Sequence, residues 1–219
     1  MKLQSLIRSG SLQAVLFDFD GTLVDSVPDL SVSVDATLVQ FGHPPVGESQ
    51  VRDWVGRGAW HLIEQAFEGL ASAQEIEAAY PWFLAHYQTQ CAVNPTLYAG
   101  VAQGLATIQA QVPTALVTNK PMAFTEVMLQ ALGLSFDAVY GGDSVANKKP
   151  APDMLLQACR DMQVSPQQCV MIGDSSNDSE AAQALQMPVA LFSNGYNHGQ
   201  AVERANPDLI YDNFSELVA

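Results

Sequence analysis

Residues 14–26 read AVLFDFDGTLVDS, and the order of residue types in this stretch decides the fold. Four apolar residues, Ala14 to Phe17, run directly into Asp18, Asp20 and Gly21. A short run that is apolar throughout predicts a strand buried on both faces, and the acidic, glycine-containing turn after it marks where the chain leaves the sheet. The same signature recurs at PTALVT (113–118), DAVY (137–140), CVMIG (169–173) and PVALF (188–192). Helical patterns lie between these runs. Residues 121–133 space Phe124, Met128 and Leu132 for one helical face, with Pro121 expected to open the helix and Gly133 to end it. Apolar strands alternating with helices predict an α/β fold, a Rossmann-like parallel-sheet core covered on both sides.

One segment breaks the alternation. From Ser26 to about Cys91 no strand pattern is present. Ser26 and Asp29 have capping-box spacing, and Val27, Leu30, Val34, Leu38 and Phe41 follow at steps of three and four up to Gly42. Further helices are expected over 59–70 and 72–90, the latter kinked or split at Pro81. A helical block of ~65 residues is too long for an ordinary crossover. The reading is therefore an all-helical domain at 26–92, inserted into an α/β core made of 1–25 and 93–219.

Charge narrows the function. The 219 residues carry 9 Lys and Arg against 23 Asp and Glu, a net −14, which repels nucleic-acid backbones and anionic membrane surfaces. An anionic ligand would need positive charge gathered locally or imported as a metal ion. Cys91, Cys159 and Cys169 stand singly, as expected for a reducing compartment. The first residues lack a long apolar run, and no stretch approaches the ~20 apolar residues of a membrane span. A cytoplasmic protein, monomer or homodimer, is expected. His43, His61, His86 and His198 are far apart, which argues against zinc.

Open parallel sheets bind ligands at the carboxyl ends of their strands. Here the first strand ends in Asp18, Asp20 and Thr22, and the second in Thr118 and Asn119. The CVMIG strand leads to Asp174 and Asp178, and Lys149 lies in NKKPAP before a helix. Each fragment alone is an ordinary turn or cap; all four at strand ends or helix starts, in one order, make a site. FDFDGTLVDS (17–26), LVTNK (116–120), KKPAPD (148–153) and IGDSSND (172–178) resemble the four motifs of the haloacid dehalogenase superfamily of aspartate-nucleophile phosphatases. The resemblance spans nearly the whole chain and implies a helical cap inserted after the first motif. Secondary stretches, VGRGAWHLIE (55–64), GYNHG (195–199) and ANPDLIYDNFSEL (205–217), are similar to those of phosphoglycolate phosphatases.

The chemistry can be argued from the residues. Phosphoryl transfer needs a nucleophile, neutralisation of the phosphoryl oxygens and a proton donor for the leaving group. Asp18 is the candidate nucleophile, because the hydroxyls of Thr22 and Thr118 have no adjacent His to activate them. Asp20 would protonate the leaving oxygen and then take a proton from water. Asp18, Asp20, Asp174, Asp178 and a phosphate dianion cannot share a pocket without a cation, and an all-oxygen donor set favours Mg²⁺. The resemblance implies that the side chains of Asp18 and Asp174 and the backbone carbonyl of Asp20 ligate it, with Asp178 acting through water or orienting Lys149. Lys149 supplies a second positive charge and Thr118 a hydroxyl donor.

Substrate choice falls to the cap. Gly56-Arg57-Gly58 is either an anion site, through its backbone N–H groups or the Arg57 guanidinium, or a plain helix C-cap followed by an N-cap with Arg57 in solvent; Thr22 and Asn119 are counted as further substrate contacts. Residues 194–198 are either a ligand loop or a plain one. The expected function is Mg²⁺-dependent hydrolysis of a small anionic phosphate ester through an aspartyl-phosphate, with 2-phosphoglycolate foremost. The alternatives are another small ester, pyrophosphate, or a sugar-phosphate mutase. A dehalogenase would need neither Asp20 nor a metal, and a phospho-accepting receiver module would want neither Asp20 nor the inserted cap.

Overall fold

The computed structural model describes residues 3–217. In chain order the strands are β1 (Ala14–Phe17), β2 (Val24–Asp25), β3 (Thr96–Leu97), β4 (Thr114–Val117), β5 (Ala138–Tyr140), β6 (Cys169–Gly173), β7 (Val189–Phe192) and β8 (Leu209–Tyr211). The helices are α1 (Leu3–Arg8), α2 (Val27–Gln40), α3 (Glu48–Trp54), α4 (Ala59–Ala66), α5 (Ala73–Gln90), α6 (Val101–Gln109), α7 (Met122–Leu132), α8 (Asp153–Asp161), α9 (Ser176–Gln183) and α10 (Phe214–Leu217).

Six strands form one parallel sheet in the order β5-β4-β1-β6-β7-β8. Strands β1, β4, β6 and β7 are buried along their whole length, which is why their sequences are apolar without alternation. Successive residues still face opposite ways. Val15 and Phe17 pack into one apolar layer with Ile172 and Phe214, and Ala14 and Leu16 into the other with Met154 and Met171. The chain winds outward from β1 through β4 and β5, then returns to lay β6 on the other flank of β1. The crevice at such a reversal is where open sheets bind ligands. The first residue after β1 is Asp18 and the first after β6 is Asp174.

Helices α2 to α5 occupy the stretch between β2 and β3. The two short strands pair antiparallel, Val24 with Leu97 and Asp25 with Thr96, so the helical block leaves and rejoins the core side by side. Two-residue strands are too short to leave a periodic signal, and the sequence reading passes over this ribbon.

Local details differ from the sequence reading, each for a physical reason. Helix α2 starts at Val27, but Ser26 makes no side-chain cap. Asp29 instead accepts from the Asn94 N–H at 3.1 Å, tying the outgoing and returning strands of the insertion. Helix α5 runs unsplit through Pro81. A true capping box starts it at Ser72 and Glu75, and Ala79, Phe83 and Tyr87 are buried along its length; this packing outweighs the one hydrogen bond that proline removes. Pro121 stands just outside α7 as its N-cap, while Gly133 closes it in the left-handed region at φ 65°. Strand β8 and helix α1 are additions. Leu209 to Tyr211 is too short a run to separate from loop, and it sits on the sheet edge.

Gly104, inside α6, faces the ring of Phe214, and a Cβ built on it would lie 2.3 Å from that ring. Glycine to alanine in a helix ordinarily stabilises by about 1 kcal/mol. Here overpacking against a buried aromatic reverses the sign, so Gly104→Ala is expected to destabilise by ~1–3 kcal/mol. The urea midpoint checks this; a raised midpoint would contradict the packing described.

Candidate active site

Lys149 is the hinge of the site. Its ammonium lies 2.9 Å from Asp18 Oδ1 and 2.6 Å from Asp178 Oδ1, and its side chain is 1% exposed. Asp178 is fixed from its other oxygen, which accepts from the N–H groups of Asp174 and Ser175 and from the Ser175 hydroxyl. This is the first turn of α9, where a carboxylate is favoured by the helix N-terminus. Asp174 accepts from Thr22 Oγ1 at 3.0 Å and from the Tyr196 N–H at 2.7 Å. Gly21 makes room for it. Gly21 has φ +85°, and a Cβ there would come within 2.3 Å of Asp174 Oδ2.

Three buried carboxylates thus cluster near one ammonium, which pairs with two of them. Burial pushes the Asp18 carboxyl up to about 7; Lys149 pulls it down and the neighbouring Asp178 raises it again. Asp174 is held well above the usual carboxylate range by burial, then by Asp178 and Asp18. Burial alone would lower Lys149, but the two carboxylates raise it instead. Asp18, Asp174 and Asp178 each turn an oxygen to within 4.8 Å of the others. An all-oxygen, charge-deficient pocket of this kind fits a hard divalent cation. The Asp20 carboxylate lies outside this triad.

One carbonyl of the cap meets two core side chains over the site. Gly56 O accepts from Asn119 Nδ2 at 2.9 Å and from Asn177 Nδ2 at 3.1 Å. Asn177 also meets His198 Nε2 at 3.1 Å. At φ +122° Gly56 lies so close to the His198 ring that a Cβ would be 2.9 Å from it. Beneath this contact a cavity of about 40 Å³ runs from Asp18, Asp20 and Thr118 on the core to Gly56, Gly58, Leu62 and Tyr87 on the cap. A second, wider cavity of about 720 Å³ lies beside it, lined by Arg57, His61, Lys148 and Lys149 among others.

The structure sorts the residues singled out from sequence. Asp18, Asp20, Thr118, Asn119, Gly56 and Gly58 line the small cavity. Lys149 meets Asp18 from the side. Arg57 lines the wider cavity and not the small one. Thr22, expected at the substrate, spends its hydroxyl on Asp174 because Gly21 turns the chain back over that carboxylate. Residues 194–198 brace acids: Tyr196 donates its N–H to Asp174 and its hydroxyl to Asp25.

Two residues of the small cavity escaped the sequence reading. Lys120, 5% exposed, sets its ammonium 3.1 and 3.3 Å from the two Asp20 oxygens and donates to Tyr87 Oη at 2.8 Å. It is the last residue of the quoted LVTNK, one place beyond the pair that was read. Tyr87, on α5, looks like an ordinary core aromatic at helical spacing. Asn119 Oδ1 is buried without a hydrogen-bond partner.

Such a sheet, with acids at its reversal point and a helical insertion over them, defines a class of hydrolase. The family model for haloacid dehalogenase-like hydrolases matches residues 15–192. A phosphoglycolate phosphatase of Colwellia psychrerythraea is 39% identical over 215 residues, covering 94% of this chain and 95% of its own. One from Escherichia coli K12 is 36% identical over 230 residues, covering 94% and 91%. The crystal structure of a predicted phosphoglycolate phosphatase from Haemophilus somnus 129pt superposes with a TM-score of 0.91 at 30% identity, covering 95% and 97%. The chain belongs to the haloacid dehalogenase-like hydrolase family and is an enzyme.

Raised carboxyl pKa values make stability depend on pH and metal. Asp18 and Asp174 keep protons in the metal-free folded protein at pH values where the unfolded chain, with carboxyls near 3.8, has released them. Folding then binds protons, so this contribution to stability is present at low pH and is lost as pH rises through about 7. Metal-free Tm is expected to fall over this range more steeply in the wild type than in Asp174→Asn. A divalent cation should raise wild-type Tm more at about pH 8 than at about pH 5.5. Thermal unfolding scans check both; equal slopes in the two proteins would contradict the assignment.

Proposed function

We propose that this enzyme hydrolyses small anionic phosphate monoesters through a phosphorylated Asp18, with 2-phosphoglycolate as its substrate. One observation carries the reading: the Asp18 carboxylate, aligned by Lys149, faces a small cavity between core and cap that also holds Asp20. Supporting it, relatives spanning nearly the whole chain at 36–41% identity are named phosphoglycolate phosphatases.

The residues divide the work. Lys149 and the Thr118 hydroxyl donate to phosphoryl oxygens, drawing the phosphorus toward Asp18. Asp18 attacks phosphorus, and the bond to the leaving oxygen breaks as Asp20 delivers a proton to it. Asp20 then takes a proton from water, which attacks the aspartyl-phosphate and frees Asp18 and inorganic phosphate. Asp178 holds Lys149 in register throughout. Asp18, Asp174 and the Asp20 carbonyl would hold Mg²⁺, which when bound neutralises charge on the phosphoryl group. The cap excludes water that would otherwise screen these contacts. A cavity walled by Leu30, Leu62 and Pro121 suits a two-carbon ester better than a sugar.

Asp18→Asn keeps the shape and loses the nucleophile, so turnover is expected to fall by ~10⁴-fold or more with the fold intact by circular dichroism. A variant holding above about a hundredth of wild-type activity would remove Asp18 from this role. A phosphate-release screen with Mg²⁺ tests the substrate. 2-Phosphoglycolate is expected to exceed glycerol phosphate, hexose phosphates and pyrophosphate by about tenfold or more in kcat/KM. Hexose phosphate or pyrophosphate ahead of phosphoglycolate would defeat the substrate assignment and leave the phosphatase.

A further inference from the structure

Lys120 has no part in the chemistry set out above, yet its ammonium is buried in the reaction cavity. Among the described residues lining that cavity it is the one cation, since Arg57 and Lys148 line the neighbouring space. Stability does not explain it. Burying an ion pair costs about as much in desolvation as the attraction returns, so an apolar pair of the same shape would serve the fold as well. We infer that Lys120, presented by Tyr87, is the residue that reads the substrate's carboxylate and sets specificity. This rests on the substrate reading above and deepens it.

Reach supports the assignment. The leaving oxygen must come within ~2.8 Å of the Asp20 carboxylate to receive its proton. The same carboxylate is 3.1 Å from Lys120 Nζ, so the leaving oxygen and the ammonium lie at most about 6 Å apart. In 2-phosphoglycolate a single methylene joins the ester oxygen to the carboxylate. The carboxylate oxygens are then ~3 Å from the ester oxygen, and one more charge-assisted hydrogen bond of ~2.8 Å completes the span. A substrate whose second anion lies several carbons away overshoots the ammonium, and a neutral tail leaves it with nothing new to bind.

The partners of Lys120 fit this use. The three ammonium hydrogens go to the two Asp20 oxygens and to Tyr87 Oη, and a substrate carboxylate would take over the one now given to the farther Asp20 oxygen. The ammonium also lies 5.0 Å from the centre of the Tyr87 ring, on an apolar wall that strengthens its pull on an anion. Two buried ammoniums, Lys149 and Lys120, thus await a substrate with two anionic ends. Tyr87 belongs to the inserted helices, so the carboxylate contact engages both parts of the protein at once.

The test is a ratio. Measure kcat/KM with Mg²⁺ for 2-phosphoglycolate and for ethyl phosphate, which has the same carbon count without the carboxylate, in wild type, Lys120→Met, Lys120→Arg and Tyr87→Phe. The wild-type ratio is expected to be about ten or more, to fall by about tenfold in Lys120→Met, to fall several-fold in Tyr87→Phe, and to stay within about threefold in Lys120→Arg. A residue that only positions Asp20 would lower both substrates alike and leave the ratio unmoved. A Lys120→Met ratio within about threefold of wild type overturns the inference while the substrate reading stands. Should that variant not fold, an unchanged ratio in Tyr87→Phe overturns it instead. A wild-type ratio near one removes the substrate reading, and this inference with it.

Discussion

Three carboxylates taken out of water around one ammonium constrain everything else in this protein. Asp18, Asp174 and Asp178 are each no more than 8% exposed, and Lys149, which pairs with two of them, is 2% exposed. Charges this deep persist only where every oxygen is held. Two strand ends therefore have to meet at the reversal of a parallel sheet, the turn entering α9 has to present the N–H groups of Asp174 and Ser175 to Asp178, and the 194–198 loop has to bring a backbone N–H to Asp174. The sheet order, the tight turn at Gly21 and the placement of Lys149 all serve that one requirement.

The same requirement explains the distribution of charge. In a chain of net −14, with only 9 Lys and Arg, four cations gather at the two adjoining cavities: Arg57, Lys120, Lys148 and Lys149. The rest of the surface repels anions, and this region draws them in. Closure by the Gly56 carbonyl on Asn119 and Asn177 then fixes this edge of the cap with neutral amide donors.

Most of the fold is legible in the sequence because its strands are buried on both faces and read as unbroken apolar runs; β1, β4, β5, β6 and β7 begin and end within a residue of the expected limits. What escapes is what local pattern does not encode. The β2–β3 ribbon is two residues long, β8 is three, and Pro81 is carried by tertiary packing. In the site, Asp18, Asp20, Thr118 and Asp174 follow strand ends, Lys149 stands before a helix and Asp178 in the first turn of one, and together they are visible as a set. Lys120 and Tyr87 meet only because a core strand end and a cap helix converge, and nothing in either stretch alone announces the other. Arg57 illustrates the converse: glycines on both sides make it conspicuous in sequence, yet it lines the neighbouring cavity and not the one that holds Asp18.

The proposed chemistry turns on phosphorylation of the Asp18 carboxylate held by Lys149. Rapid acid quench during turnover, followed by borohydride reduction and peptide mass analysis, tests it directly, because borohydride reduces an acyl phosphate to the alcohol and leaves a free carboxylate untouched. The account requires homoserine at position 18 and nowhere else, dependent on substrate and absent without it. An unreduced Asp18 alongside a phosphoryl group or homoserine at another residue would contradict it.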